Sequence, residues 1–146
     1  MGIDVDRRAL ACPDDWTLTL DTVRSAHSPG EIVEVKKSKF QAHVCRIKTF
    51  DEVKEVMETL LSNSKVKQAT HNMMAYRLPH RDDFDDDGEA QAGKRMLHML
   101  QMMNVTGTMV VVSRWFGGTL LGPARFGIIN NVAKDAINQF LLPHRP

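Results

Sequence analysis

The sequence predicts an α/β (α+β) two-layer sandwich, one sheet beneath a helical layer, with elements in the order ββαβαβα. Three observations carry this: strand-like alternation in the early runs, apolar stripes at helical spacing in three later ones, and the regular interleaving of the two patterns. The chain has 146 residues, 42% of them apolar. That suffices for one ordinary globular domain to bury a core without disulfides or metal.

Met1 to Gly30 carries prolines and scattered charges and reads as an N-terminal extension, partly without fixed structure. Within it only Trp16 to Val23 alternates, with Trp16, Leu18 and Leu20 on one face of a candidate strand. The domain proper is expected over 31–142, with a short tail at 143–146. Two strands, Glu31 to Lys36 and Lys39 to Ile47, follow each other closely around a lysine turn. In the second, Phe40, Ala42, Val44 and Arg46 alternate with Gln41, His43, Cys45 and Ile47.

Thr49 then caps a helix, since Glu52 stands three residues on at capping-box spacing. Val53, Val56, Met57, Leu60 and Leu61 form its apolar stripe, and the Ser-Asn-Ser cluster ends it. A strand from Thr70 to Leu78 stops at Pro79, and an acidic loop follows from His80 to Gly93. The second helix spans about Glu89 to Met103, turning Leu97, Leu100 and Met103 inward; the acids before it suit the positive end of its dipole. Met96, Met99, Met102 and Met103 occupy more of this helix than one buried stripe needs. Thr108 to Val112 lacks alternation and so reads as a strand covered on both faces or central in the sheet. Gly122-Pro123 opens the last helix, with Phe126, Ile129, Ala133 and Ile137 inward.

Composition excludes several roles. A formal net charge of +1 creates no global field toward nucleic acid or an anionic membrane, so any such partner must meet a local patch. Cys12 and Cys45 have neither C-x-x-C spacing nor the density of a disulfide framework, which suits a reducing, cytoplasmic setting. The first residues lack the apolar run of a signal peptide, no segment reaches membrane-spanning length, and Asp6 stands where a myristoylation signal needs Ser or Thr. No membrane partner is expected.

Catalytic signatures are weak throughout. Asp83, Asp85, Asp87 and Gly88 match the start of an EF-hand loop, but Lys94 falls where the bidentate glutamate belongs, so the calcium reading fails. Asp86, Asp87 and Glu89 remain as weak magnesium ligands or, alternatively, as a solvated acidic loop that caps a helix. His71, His80 and His98 have no ligand spacing, and no nucleophile elbow, phosphate loop or dinucleotide fingerprint occurs. No cofactor and no metal centre are expected. The most informative run is Ser113 to Asn131, where Gly117 and Gly118 follow a buried strand, Gly122 precedes a helix, and Arg114 and Arg125 bracket the turn. Bare backbone there either receives a phosphate or carboxylate, or supplies positive φ for a sharp connection while Trp115 and Phe116 plug the core edge.

Four ordered stretches carry a resemblance: Lys36 to Val44, Ala69 to Arg77, Asp86 to Gly93, and the long run from Val110 through Arg114 to Gly118, Leu120 to Pro123, Arg125, Phe126 and Ile129 to Asn131. Together they closely resemble the ancient domain of the IMPACT family, in its eukaryotic branch, from about Lys36 to Leu142. The resemblance implies the domain-2-like fold of small-subunit ribosomal protein five, with a left-handed βαβ unit. It also implies a regulatory role: restraint of the stress kinase that phosphorylates initiation factor two, through competition for that kinase's ribosome-associated activator, and a link to monomeric actin. Relatives make the activator contact with an N-terminal RWD domain, for which about thirty residues are too few; activator binding is therefore not expected here unless the chain is a fragment. Ala124 and Gly127 depart from the acidic residue and lysine that relatives often carry. The expectation is thus a non-enzymatic, cytoplasmic regulator acting through protein contacts. The alternative is a nucleic-acid or nucleotide-phosphate binder. The candidate binding residues are Arg114, Trp115, Gly117, Gly118, Gly122, Arg125, Asn130, Lys36, Lys37, Lys39, Asp86, Asp87 and Glu89.

Overall fold

In β3, Ser38–Arg46, successive side chains are buried toward both faces, and this dictates the layering. Phe40, Ala42 and Val44 face one way, Cys45 and then Ile47 the other, and all five are buried. A strand apolar on both faces must be covered twice. The computed structural model, which describes residues 27–141, shows this arrangement. The Trp16 to Val23 run and the 143–146 tail lie outside the described residues.

The elements are β1 His27–Pro29, β2 Val33–Val35, β3, α1 Phe50–Leu61, α2 Ser64–Lys67, β4 His71–Leu78, β5 Arg81–Asp85, α3 Ala92–Met102, β6 Thr108–Trp115 and α4 Ala124–Leu141. They form a mixed α/β fold around one antiparallel sheet of order β1-β3-β6-β4-β5, with β2 also paired to β3. β6 is central, between β3 and β4, and its residues Thr108 to Arg114 are all buried, as the absence of alternation predicts. Because β3 and β4 are each antiparallel to β6, they run parallel to one another, connected by α1 and α2.

The helical layer, expected on one face, is divided between two. α3 and α4 cover Phe40, Ala42, Met73, Val110 and Val112 with Met96, Leu100, Ile129, Ala133 and Ile137. On the opposite face Val53, Val56, Leu60 and Val66 cover Cys45, Ile47, Tyr76, Met109 and Val111. Burial pushes the Cys45 thiol up to about 12, so it stays protonated and serves as a small core residue. Of the α3 stripe, Leu100 is buried as expected; Met96 is the second anchor, while Leu97 and Met103 are only half-buried and Met102 is exposed.

Local signals account for the element ends. Thr49 Oγ1 accepts the Glu52 N–H at 3.2 Å, and Glu52 Oε1 accepts the Lys48 N–H at 2.6 Å, a box displaced by one residue from its usual partner. Three elements depart from the sequence reading. His27–Pro29, inside the expected extension, pairs with β3, and Ser64–Lys67 forms a single turn capped by Asn63. Most notably, Arg81–Asp85 of the acidic loop is a strand, entirely exposed, hairpinned to β4. An edge strand needs no apolar face, and its charges discourage pairing with other chains, so hydrophobic alternation could not reveal it.

The β2–β3 turn is a two-residue hairpin, with Val35 opposite Ser38 and both Lys36 and Lys37 at positive φ (47° and 71°). Two lysines are unfavourable in a conformation that prefers Asn-Gly. Replacing Lys36 by Asn and Lys37 by Gly should raise the unfolding free energy by about 1 kcal/mol in denaturant titrations.

Candidate functional site

β6 delivers two consecutive side chains to opposite faces, and the bend after it is built from that divergence. Arg114 shares a face with its register partners Phe40 and His71, toward α3 and α4; Trp115 shares the other with Lys39. Residues 116–123 then turn the chain into α4.

Glu89 holds this bend. It is 6% exposed, and its carboxylate accepts from Arg114 Nη1 at 2.9 Å and from Arg125 Nε at 3.0 Å. Arg114, 5% exposed, reaches Ser38 Oγ at 3.4 Å with Nη2, and that hydroxyl also accepts the Gly117 N–H at 3.1 Å. Arg125 Nη1 donates to the Gly122 carbonyl at 2.7 Å. His71 Nε2 lies 4.0 Å from Glu89 Oε2, while Nδ1 meets the Asp87 carbonyl at 2.8 Å. One buried carboxylate thus joins the start of β4, the end of β6 and the start of α4.

The loop supplying Glu89 is consumed by structure. Asp86 Oδ1 accepts the N–H groups of Gly93 and Lys94, and Oδ2 that of Gln91, capping the α3 N-terminus from five to eight residues away. Asp87 Oδ2 accepts the Asn72 N–H at 2.7 Å. Gly93 admits the loop because a Cβ there would stand 2.8 Å from the Asp85 carbonyl oxygen. Asp86, Asp87 and Glu89 therefore do not converge, and among the described residues no group of three or more His, Cys, Asp or Glu could hold a metal.

The glycines of the bend divide by cause. A Cβ on Gly117 would lie 2.1 Å from the Lys37 carbonyl carbon, so Gly117 allows two backbones to touch. Gly118 and Gly122 have open space but positive φ, 97° and 63°. The amides of Arg125 and Phe126 already bond the carbonyls of Gly122 and Pro123. These amides are thus taken by backbone carbonyls and the two arginines by Glu89, with Arg114 Nε left buried and without a hydrogen-bond partner.

Two clefts flank Phe116, which is 45% exposed. One, about 350 Å³, is lined by His71, Glu89, Arg114, Leu120, Leu121, Gly122 and Arg125; Leu120 is 84% exposed. The other, about 270 Å³, is lined by Ile32, Lys37, Lys39, Lys65 and Trp115. Trp115 Nε1 donates to the Lys65 carbonyl at 2.9 Å. Of the sequence-predicted residues, Glu89, Arg114, Gly122 and Arg125 meet in the first cleft, and Lys37, Lys39 and Trp115 in the second. Lys36 is exposed on the turn, and Asn130, further along α4, lines neither. Sequence reading missed Ser38, His71 and Lys65; only His71 and Ser38 had a signal, as polar positions at the ends of apolar strands.

What these features define is a small α/β domain whose central strand runs into a salt-bridged, glycine-built bend with apolar side chains displayed at its tip. The Impact N-terminal domain family profile matches residues 36–137, and the chain belongs to that family. It is 46% identical over 114 residues to Protein IMPACT of Rattus norvegicus, covering 74% of this chain and 36% of the rat protein. The Protein IMPACT homolog of Schizosaccharomyces pombe is 46% identical over 113 residues, covering 74% of this chain and 40% of that protein. The chain therefore spans well under half the length of these relatives. Among solved structures, the two-domain translational regulator Yih1 is similar at a TM-score of 0.60 and 30% identity, covering 94% of this chain and 54% of that one. A hypothetical protein is similar at 0.63 and 27%, covering 80% of this chain and 60% of that one.

Two predictions follow from the bend. Glu89→Gln leaves two arginines facing an uncharged partner, one of them buried, and should cost about 3 kcal/mol or more in chemical denaturation. Gly117→Ala should cost more than about 2 kcal/mol and Gly118→Ala about 1 kcal/mol, because the first creates a backbone collision and the second only strained φ.

Proposed function

We propose that this domain is a non-enzymatic, cytoplasmic regulator of translation of the IMPACT type. It acts through protein contacts made by the bend that carries Phe116 and Leu120. The supporting observation is the pairing of exposed apolar side chains with an internally braced support. Phe116 is 45% and Leu120 84% exposed, yet the loop bearing them is tied down at both ends through Glu89. A rigid apolar projection loses little conformational entropy on docking, and aromatic anchors of this kind carry much of the energy in protein interfaces. Kinship with Protein IMPACT and similarity to a translational regulator support the direction of this reading. On it, the chain restrains phosphorylation of initiation factor two in the starvation response, with monomeric actin a second partner.

No helix among the described residues is long and apolar enough to cross a membrane.

The purified chain, added to an amino-acid-starved cell extract, should lower initiation-factor-two phosphorylation in proportion to its concentration. Phe116→Ala with Leu120→Ser should lose most of that effect without loss of thermal stability. No effect of the unmodified chain at large excess, with actin binding also absent, would count against the proposal.

A further inference from the structure

The second cleft beside the bend differs in kind from the first. Its lining is Ile32, Lys37, Lys39, Lys65, Trp115 and Phe116: three ammonium groups, two aromatic rings and no carboxylate. The register partner of Lys39 is Glu34, which is exposed and lies outside the lining. Unlike Arg114 and Arg125, all three lysines are exposed. They come from the β2–β3 turn, the start of β3 and α2, so the fold gathers charges that are scattered in the sequence.

From this we infer that the Lys37–Lys39–Lys65 cleft binds single-stranded nucleic acid, with phosphates on the lysines and a base stacked against Trp115 or Phe116. Two features favour this ligand over an acidic peptide. The indole N–H of Trp115 is already committed to the Lys65 carbonyl, so what the ring still offers is its π surface. Phe116 offers nothing else, and the Arg114 guanidinium sits 5.6 Å from its centroid. An acidic side chain would use the lysines and leave the rings idle, whereas a nucleotide uses both at once. Aromatic platforms set in a cationic groove are the recurring solution for single strands, and they tolerate any base because every base has a π face. At about 270 Å³ the cleft lies just under the usual range of small-molecule pockets, roughly 300–1,000 Å³, which suits one nucleotide unit at a time along a strand. This site shares Phe116 with the proposed protein-contact surface but none of its three lysines, so the lysine variant tests nucleic-acid binding apart from that reading.

The test is fluorescence anisotropy of a labelled short oligouridylate titrated with the full chain, from about 20 mM to about 200 mM salt. Saturable binding is expected, with log affinity falling against log salt at a slope of about −2, from three phosphates on a single strand. Lys37→Gln with Lys39→Gln and Lys65→Gln should weaken binding at least about tenfold and bring the slope close to zero. Phe116→Ala should weaken it about fivefold or more while leaving the slope unchanged. Circular dichroism establishes that each variant is folded. The inference is overturned by absence of saturable binding at low salt, by native-like affinity in the folded triple-lysine variant, or by an unchanged affinity in Phe116→Ala. It is equally overturned if an oligoglutamate peptide displaces the oligouridylate at lower concentration than unlabelled oligouridylate does, which would make the cleft an acidic-peptide site.

Discussion

The shared carboxylate of Glu89 is the contact on which the bend depends. Its partners Arg114 and Arg125 lie 25 and 36 residues away in the chain and belong to the central strand and the last helix. Taking Glu89 and Arg114 out of water, with Arg125 half-buried beside them, is costly, and their mutual attraction recovers that cost only in good geometry. Such a cluster adds little net stability over an apolar replacement, yet it penalises any misplacement of its members severely. The β5–α3 loop, the end of β6 and the start of α4 are therefore held to one arrangement. The Asp86 cap on α3 and the Asp87 bond to Asn72 hold the loop that presents Glu89.

That internal neutralisation divides the surface around Phe116. On one side Arg114 and Arg125 share the single carboxylate of Glu89, and Phe116, Leu120 and Leu121 supply the apolar part of that cleft's lining. On the other the lysines have no comparable acid among the lining residues and remain available to an anion. Similar residue types, basic and aromatic, thus acquire different roles according to whether a carboxylate reaches them.

Much of the fold was legible because burial leaves a periodic trace. The unbroken apolar run from Met109 to Val112 marked the central strand, Thr49 with Glu52 marked a helix start, and Ile129, Ala133 and Ile137 marked the buried face of the last helix. Arg81–Asp85 left no such trace, because an edge strand exposed on both faces is indistinguishable by pattern from a polar loop. The divided helical layer was also hidden: Gln41 and His43 put polar residues on the face that Cys45 and Ile47 share, yet both are buried. In the bend, spacing alone left the glycines open between ligand approach and geometry; the contact between Gly117 and Lys37, remote in sequence, favours geometry.

By itself the sequence determined the class of fold, the order of its main elements and the family, since all of these reside in local pattern and motif. Only the tertiary structure decided which charges are free. Whether an arginine meets solvent or a buried glutamate depends on contacts between segments tens of residues apart, and no local periodicity encodes them. Lys65 stands exposed beside Lys37 and Lys39, while Arg114 and Arg125 are paired with Glu89, for that one reason.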